Sequence, residues 1–366
     1  TVLKASTKVY GIVHMSLVNV FNFGQAHTSA AYGINIIYGA GSQPHAENSY
    51  IKNCVWYVGY NSAIRAIGAK NTNFSIPLEI VNNFIYAPKG YALSIHGYNA
   101  RIKHNLAIRA NSFYAYGDTA SVEYHENVMN GAYGSAGFRL NAPKLCENSH
   151  KFFSKNVVAS GRIGYWLGTN GGCFTDNLVY KSSTYGVFSK SRKNIEIHNC
   201  QFSDNQVAIS VNLEYTGDKF IISDNTIIGQ SSNSVYNNSS SSISKNVFCK
   251  QHSAGRYEGG FSFVGIRLAS FSRDISSRYR VPYHAVKGIP LDHGITYVTK
   301  TQFYNFYATD SCGRKSVAIV SNQYSQLACA PHHFTEVSWH NVEKRAKIFM
   351  HKPNSNCEIG RASCRE

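Results

Sequence analysis

The chain has 366 residues, and its 36 Lys and Arg outnumber its 20 Asp and Glu by 16. It contains no run of 18 apolar residues, no heptad pattern, no Rossmann-type glycine run and no P-loop, so neither a membrane-spanning helix nor a common nucleotide-binding fold is expected. The basic excess points to polyanionic partners, and 25 tyrosines provide aromatic neighbours for the basic residues.

Taken in chain order, the opening residues already read as the middle of a β-rich protein, and LVNVFN places a candidate outer coil at Asn19. Asparagine then recurs in similar settings: Asn53, Asn83, Asn105, Asn127, Asn156, Asn177, Asn199, Asn225 and Asn246. Within its runs the step is 21 or 22 residues, as from Asn83 to Asn105 to Asn127. A repeat this short cannot bury a core alone and implies a stacked array. The residue three before most of these asparagines is apolar (Ile80, Ile102, Tyr124, Phe153, Phe174, Ile222, Ile243), and so is the one after (Phe84, Leu106, Val128, Val157, Leu178, Val247). The residue immediately before is polar, which is strand-like alternation around one special backbone position rather than a helical stripe.

A second apolar stretch follows about ten residues later in each repeat, as in AIRAIG, ALSIHG, GFRL, GYWL, GVFS and AISV. Two or three short strands per turn of about 22 residues describe a right-handed, single-stranded parallel β-helix, an all-β solenoid. Asparagine suits the corner because it tolerates left-handed geometry and its amide both donates and accepts, so stacked copies form a ladder. The expected organisation is a β-helix over 1–357, with core coils over 46–250, an insertion at about 250–295 and closing coils at about 296–352 that include Asn305 and Asn341. The last nine residues, EIGRASCRE (358–366), read as a sequencing-adapter translation, with the natural chain continuing beyond.

Cys54 and Cys200 follow ladder asparagines and read as buried thiols, whereas Cys146–Cys173 and Cys312–Cys329 are the candidate disulfides. No CxxC or His/Cys spacing argues for a metal, and no cofactor is expected. Candidate glycosylation sites are Asn73, Asn237 and Asn238. Hydrolases on this architecture need clustered aspartates, and lyases need a calcium cluster with a basic residue. The eight aspartates here are scattered. The nearest approach to a catalytic set is Asp176 and Asp224 with His198 between them, in a solvent-facing column beside the ladder; a bland column of mixed charge explains it better. Basic and aromatic residues interleave over 101–117 and 270–288, which makes Arg101, Lys103, Arg109, Arg273, Arg278 and Arg280 candidates for polyanion binding.

The segments SYIKNCVWYVGYNSAIRAIGAKN, LEIVNNFIYAPKGYALSIHG and NVVASGRIGYWLGTNGGC, with the late HHFTEVSWHNVEKRAKIFMHKPNSNC, resemble the β-helical ectodomain of fibrocystin and fibrocystin-like proteins, from about Gly11 to Cys357. The resemblance implies an extracellular or cell-surface, receptor-like parent attached to the membrane only through other parts of its chain. It also implies a structural and ligand-binding role without catalysis. Hyaluronidases built on a similar β-helix carry a His-containing strand motif, and the corresponding stretch here has Asn35 and Ile36 in those places with only His45 nearby. The partners expected are acidic glycans or other extracellular ligands rather than nucleic acid. The alternative is a β-helical polysaccharide hydrolase or lyase working through Asp176, His198 and Asp224.

Overall fold

The computed structural model describes residues 2–5, 12–24, 32–38, 49–68, 77–97, 99–116, 122–134, 136–140, 153–167, 172–191, 194–213, 219–229, 261–269, 295–307, 315–322 and 332–350. It divides into two compact units, Thr1–Gly168 and Thr169–Glu366. In each unit three parallel sheets are built from strands that recur once per coil, the arrangement of a parallel β-helix. Each coil runs through a pre-corner strand, a post-corner strand and a third strand. In the first unit one such coil is Leu78–Val81, Phe84–Pro88 and Leu93–His96. The next is Ala100–Lys103, Leu106–Ile108 and Phe113–Tyr116, and each strand pairs in register with its counterpart. The second unit repeats the scheme with Ile195–His198, Gln201–Ser203 and Val207–Leu213.

Two left-handed corners bracket the post-corner strands, except that Thr226–Ile228 has one only on its N-terminal side. The first carries positive φ at Leu17, Asn53, Asn82, His104, Glu126 and Lys155, and in the second unit at Asp176, Asn199, Asp224, Lys300 and Glu336. Where it is left-handed, the second corner falls five residues later, as at Val58 (φ 52°) after Asn53 (φ 55°) and Arg109 (φ 51°) after His104 (φ 54°); Gly229, five after Asp224, is not left-handed. Variation in coil length is therefore confined outside this segment. The step is 22 residues from Asn83 to Asn105, 29 from Asn127 to Asn156 and 25 from Cys200 to Asn225.

The left-handed residue is not the ladder asparagine but the one before it, which corrects the expected division of labour. The preceding residue makes the turn while the asparagine points inward. Asn83, Asn105, Asn127 and Asn156 are buried, and the first three each donate from Nδ2 to the Oδ1 of the next: Asn105 Nδ2 donates to Asn127 Oδ1 at 2.9 Å, and the Asn105 backbone N–H donates to the same oxygen at 3.0 Å. Asn53 and Asn199 are left-handed themselves, so they are turn residues rather than ladder members. Cys54 and Cys200 hold the inward positions and donate their backbone N–H groups to Asn83 Oδ1 and Asn225 Oδ1. The outer asparagines shift too. Asn19 lies in a strand, its coil's turn falling at Leu17, while Asn305 and Asn341 occupy the second corner. Asn246 lies outside the described residues.

Inward columns fill each coil. In the first unit Ile51, Ile80, Ile102, Tyr124 and Phe153 line one sheet, Trp56, Ile85, Ala107, Met129 and Val158 the next, and Phe113, Phe138 and Tyr165 stack in the third at 4.8 and 5.1 Å between ring centroids. Burial of about 25 cal/mol per Å² of apolar surface makes these columns the principal stabilising term, and the ladder fixes their register because an unpaired buried amide costs about 1–3 kcal/mol.

Candidate functional site

The register separates the acid/base trio suggested by spacing. Thr175, His198 and Ser223 share one column, whereas Asp176, Asn199 and Asp224 are the left-handed corner residues of successive coils. Asn199 Nδ2 donates to Asp176 Oδ1 at 2.6 Å, so Asn199 stands where His198 was expected. The reason is the one-residue shift at Cys200, which moves His198 off the corner and onto the strand. There its Nδ1 is hydrogen-bonded to Ser223 Oγ and its Nε2 lies 3.0 Å from Glu196 Oε2.

A Ser223–His198–Glu196 chain has the connectivity of nucleophile, base and orienting carboxylate. Among the described residues the oxyanion donor such a site needs is not offered beside it. Ser223 sits in a strand paired on both sides, and the neighbouring Asp224 N–H, a would-be oxyanion donor, is spent on Thr299 O. The first unit repeats the pairing, with His125 Nδ1 2.9 Å from Ser154 Oγ and Glu123 taken instead by Arg101. We read both pairs as side-chain ladders between coils.

The basic candidates divide likewise. Arg101 Nε lies 3.1 Å from Glu123 Oε2, and its Nη1 is 3.7 Å from Glu79 Oε1. Lys52 also pairs with Glu79, so this pre-corner face is a chain of alternating charge. Lys103 is half-buried opposite His125, and Arg109 is an exposed second-corner residue. Arg273, Arg278 and Arg280 lie outside the described residues, as do Asn73, Asn237, Asn238, Cys146, Cys312 and Cys329. Cys173 is disulfide-bonded, whereas Cys54 and Cys200 are free and buried.

The outward face of the third sheet in the first unit has a different character. One register column runs Asn35, Arg65, Ser94, Tyr114, Arg139, Trp166. The Arg65 guanidinium lies over the Tyr32 ring at 4.5 Å, and that of Arg139 lies over Tyr114 at 5.3 Å and Trp166 at 5.0 Å. Such stacking is worth about 0.5–2 kcal/mol and holds the guanidinium plane while leaving its in-plane N–H groups free to donate. Among the described residues neither arginine has a carboxylate partner, and Arg139 Nε is buried without a hydrogen bond. The described carboxylates of this unit, Glu79, Glu123 and Glu126, all stand on the pre-corner strands or their corner. Beside the column, His96 Nε2 is 2.9 Å from Ser94 Oγ, and burial followed by the Arg65 charge pulls the His96 pKa below its ordinary value.

Sequence reasoning passed over this face although its residues lay in the second apolar stretches. The signal was the outward position of each, Arg65 in AIRAIG, Ser94 in ALSIHG, Arg139 in GFRL and Trp166 in GYWL.

Residues 128–259 match the family model of NosD, described as a periplasmic copper-binding protein, so this part of the chain is similar to a parallel β-helix family. Neither the curated proteins nor the solved structures gave a match.

Proposed function

We propose that the chain is a non-catalytic, extracytoplasmic β-helical region of a fibrocystin-like surface protein, and that its first unit binds acidic glycans through the third-sheet face. The observation that carries this reading is the pair of aromatic-stacked guanidiniums of Arg65 and Arg139, without carboxylate partners among the described residues. A stacked guanidinium is a preset fork for a carboxylate or sulfate, and the net charge of +16 adds a long-range attraction for a polyanion. The disulfide at Cys173 supports an oxidising compartment, as does the periplasmic description of the matching family. Asn-linked glycans at Asn73, Asn237 and Asn238 belong to the same reading.

Copper is not carried over from that family. Among the described residues no three His, Cys, Asp or Glu side chains are placed to hold a metal ion. Cys200, the free thiol that the described residues show inside the matched stretch, is fully buried, and that burial drives its pKa up.

The test is binding of hyaluronan and polygalacturonate at rising salt. Binding should weaken steadily with ionic strength and fall at least tenfold in an Arg65→Gln/Arg139→Gln double variant, with polymer length unchanged. Retained affinity in the double variant would sink the assignment of the face.

A further inference from the structure

We infer that Arg65 and Arg139 act together as two anchors for one linear polyanion lying along the coil-stacking direction, so that the face selects chains with recurring anionic groups over singly charged sugars. The inference rests on the glycan-binding reading above. Both arginines occupy the same register column, separated by the coils of Ser94 and Tyr114. Three inter-strand steps put their positions about 14 Å apart. Ser94 is buried and low, and Tyr114 is packed between Tyr91, at 5.1 Å between centroids, and the Arg139 guanidinium. With the His96 ring also packed against it, the Tyr114 ring is engaged within the protein, so it serves to hold Arg139 in place rather than to receive a sugar. No described acidic side chain of the unit interrupts the column.

Two preset forks in one line favour a ligand that reaches both. The second contact then forms within an existing complex, at an effective concentration set by the ligand's own span, and this raises affinity by orders of magnitude. A sugar with one carboxylate can use only one fork at a time.

The experiment is titration of the whole chain with hyaluronan oligosaccharides of increasing length, from the disaccharide with its one carboxylate upward, against the native protein and the single variants Arg65→Gln and Arg139→Gln. The expected result is weak disaccharide binding and a step of roughly 100-fold in Kd at the length that spans both forks. Each single variant should abolish the step yet bind the disaccharide within a few fold of the native protein. Arg139→Lys, which keeps the charge but not the planar fork, should lose most of the step. A Kd that does not change with length, or single variants that weaken all lengths alike, would overturn the two-anchor arrangement while leaving glycan binding in place. Failure to bind any length would overturn the glycan reading and this inference with it. Urea midpoints equal to the native value would show that the outward-facing variants keep the fold.

Discussion

Replacing Asn105 by Ala removes the centre of the ladder. Its Nδ2 donates to Ile80 O, Lys103 O and Asn127 Oδ1, and its Oδ1 accepts from the backbone N–H and the Nδ2 of Asn83. Asn83 Nδ2 keeps a second partner in Ile51 O, but the buried Asn83 N–H is left with none. Stranding that group costs about 1–3 kcal/mol, and the amide's own bonds add about 1 kcal/mol after hydration is allowed for, so the change should destabilise by about 3 kcal/mol. That is a large share of the usual 5–15 kcal/mol of a folded domain. Urea unfolding followed by the emission of Trp56, wholly buried in the same unit, should move its midpoint down by about 1 M or more at unchanged slope. Asn53→Gly is the control. Asn53 is exposed at φ 55°, where glycine fits without strain, and this variant should hold the native midpoint. Equal losses in the two variants, or no loss in Asn105→Ala, would refute the separation of turn residue from ladder residue.

Three further outcomes follow from the same geometry. Cys200→Asn puts an amide where the thiol now bonds His198 O and accepts the Asn177 N–H at 3.4 Å, and it should stabilise the second unit by about 1 kcal/mol in urea unfolding. Val58→Gly relieves a β-branched residue held at φ 52° and should stabilise by about 1 kcal/mol, read as a raised midpoint; a loss would mean that Val58 packing outweighs its strain. His96 and His125 both have pKa values lowered chiefly by burial. The unfolded chain therefore binds more protons just below pH 6.5. Stability should be full above that pH and fall as pH drops towards the folded pKa values, and a His96→Gln/His125→Gln variant should show a shallower fall; the opposite slope would contradict the assignment.

The coil was legible, with two or three strands per turn left open, because inward positions must be apolar in every turn, and strand alternation leaves few other registers. The failures at Asn53 and Asn199 came from following asparagine rather than the core. Three residues before them stand Tyr50 and Glu196, whereas the inward residues Ile51 and Ile197 sit one place later and mark Cys54 and Cys200 as the ladder positions. The second corner was hidden because its left-handed residues are chemically mixed: Asn22, Gly131, Asp204, Asn305 and Asn341 suit the geometry, whereas Val58, Ala87, Arg109, Ser160 and Lys181 are imposed on it by the stack. The arginine face was hidden for a related reason. A cluster in sequence such as Arg101 and Lys103 signals charge, but only the register shows that Arg101 is spent on Glu79 and Glu123 while Arg65 and Arg139, 74 positions apart, share a column.

The measurement that tests the central claim most directly is the amount of hyaluronan bound, and its chain length, after incubation with the native protein and with Arg65→Gln/Arg139→Gln. The account predicts bound chains of unchanged length for the native protein and at least tenfold weaker binding for the variant. Shortened chains, or equal binding by the two proteins, would contradict it.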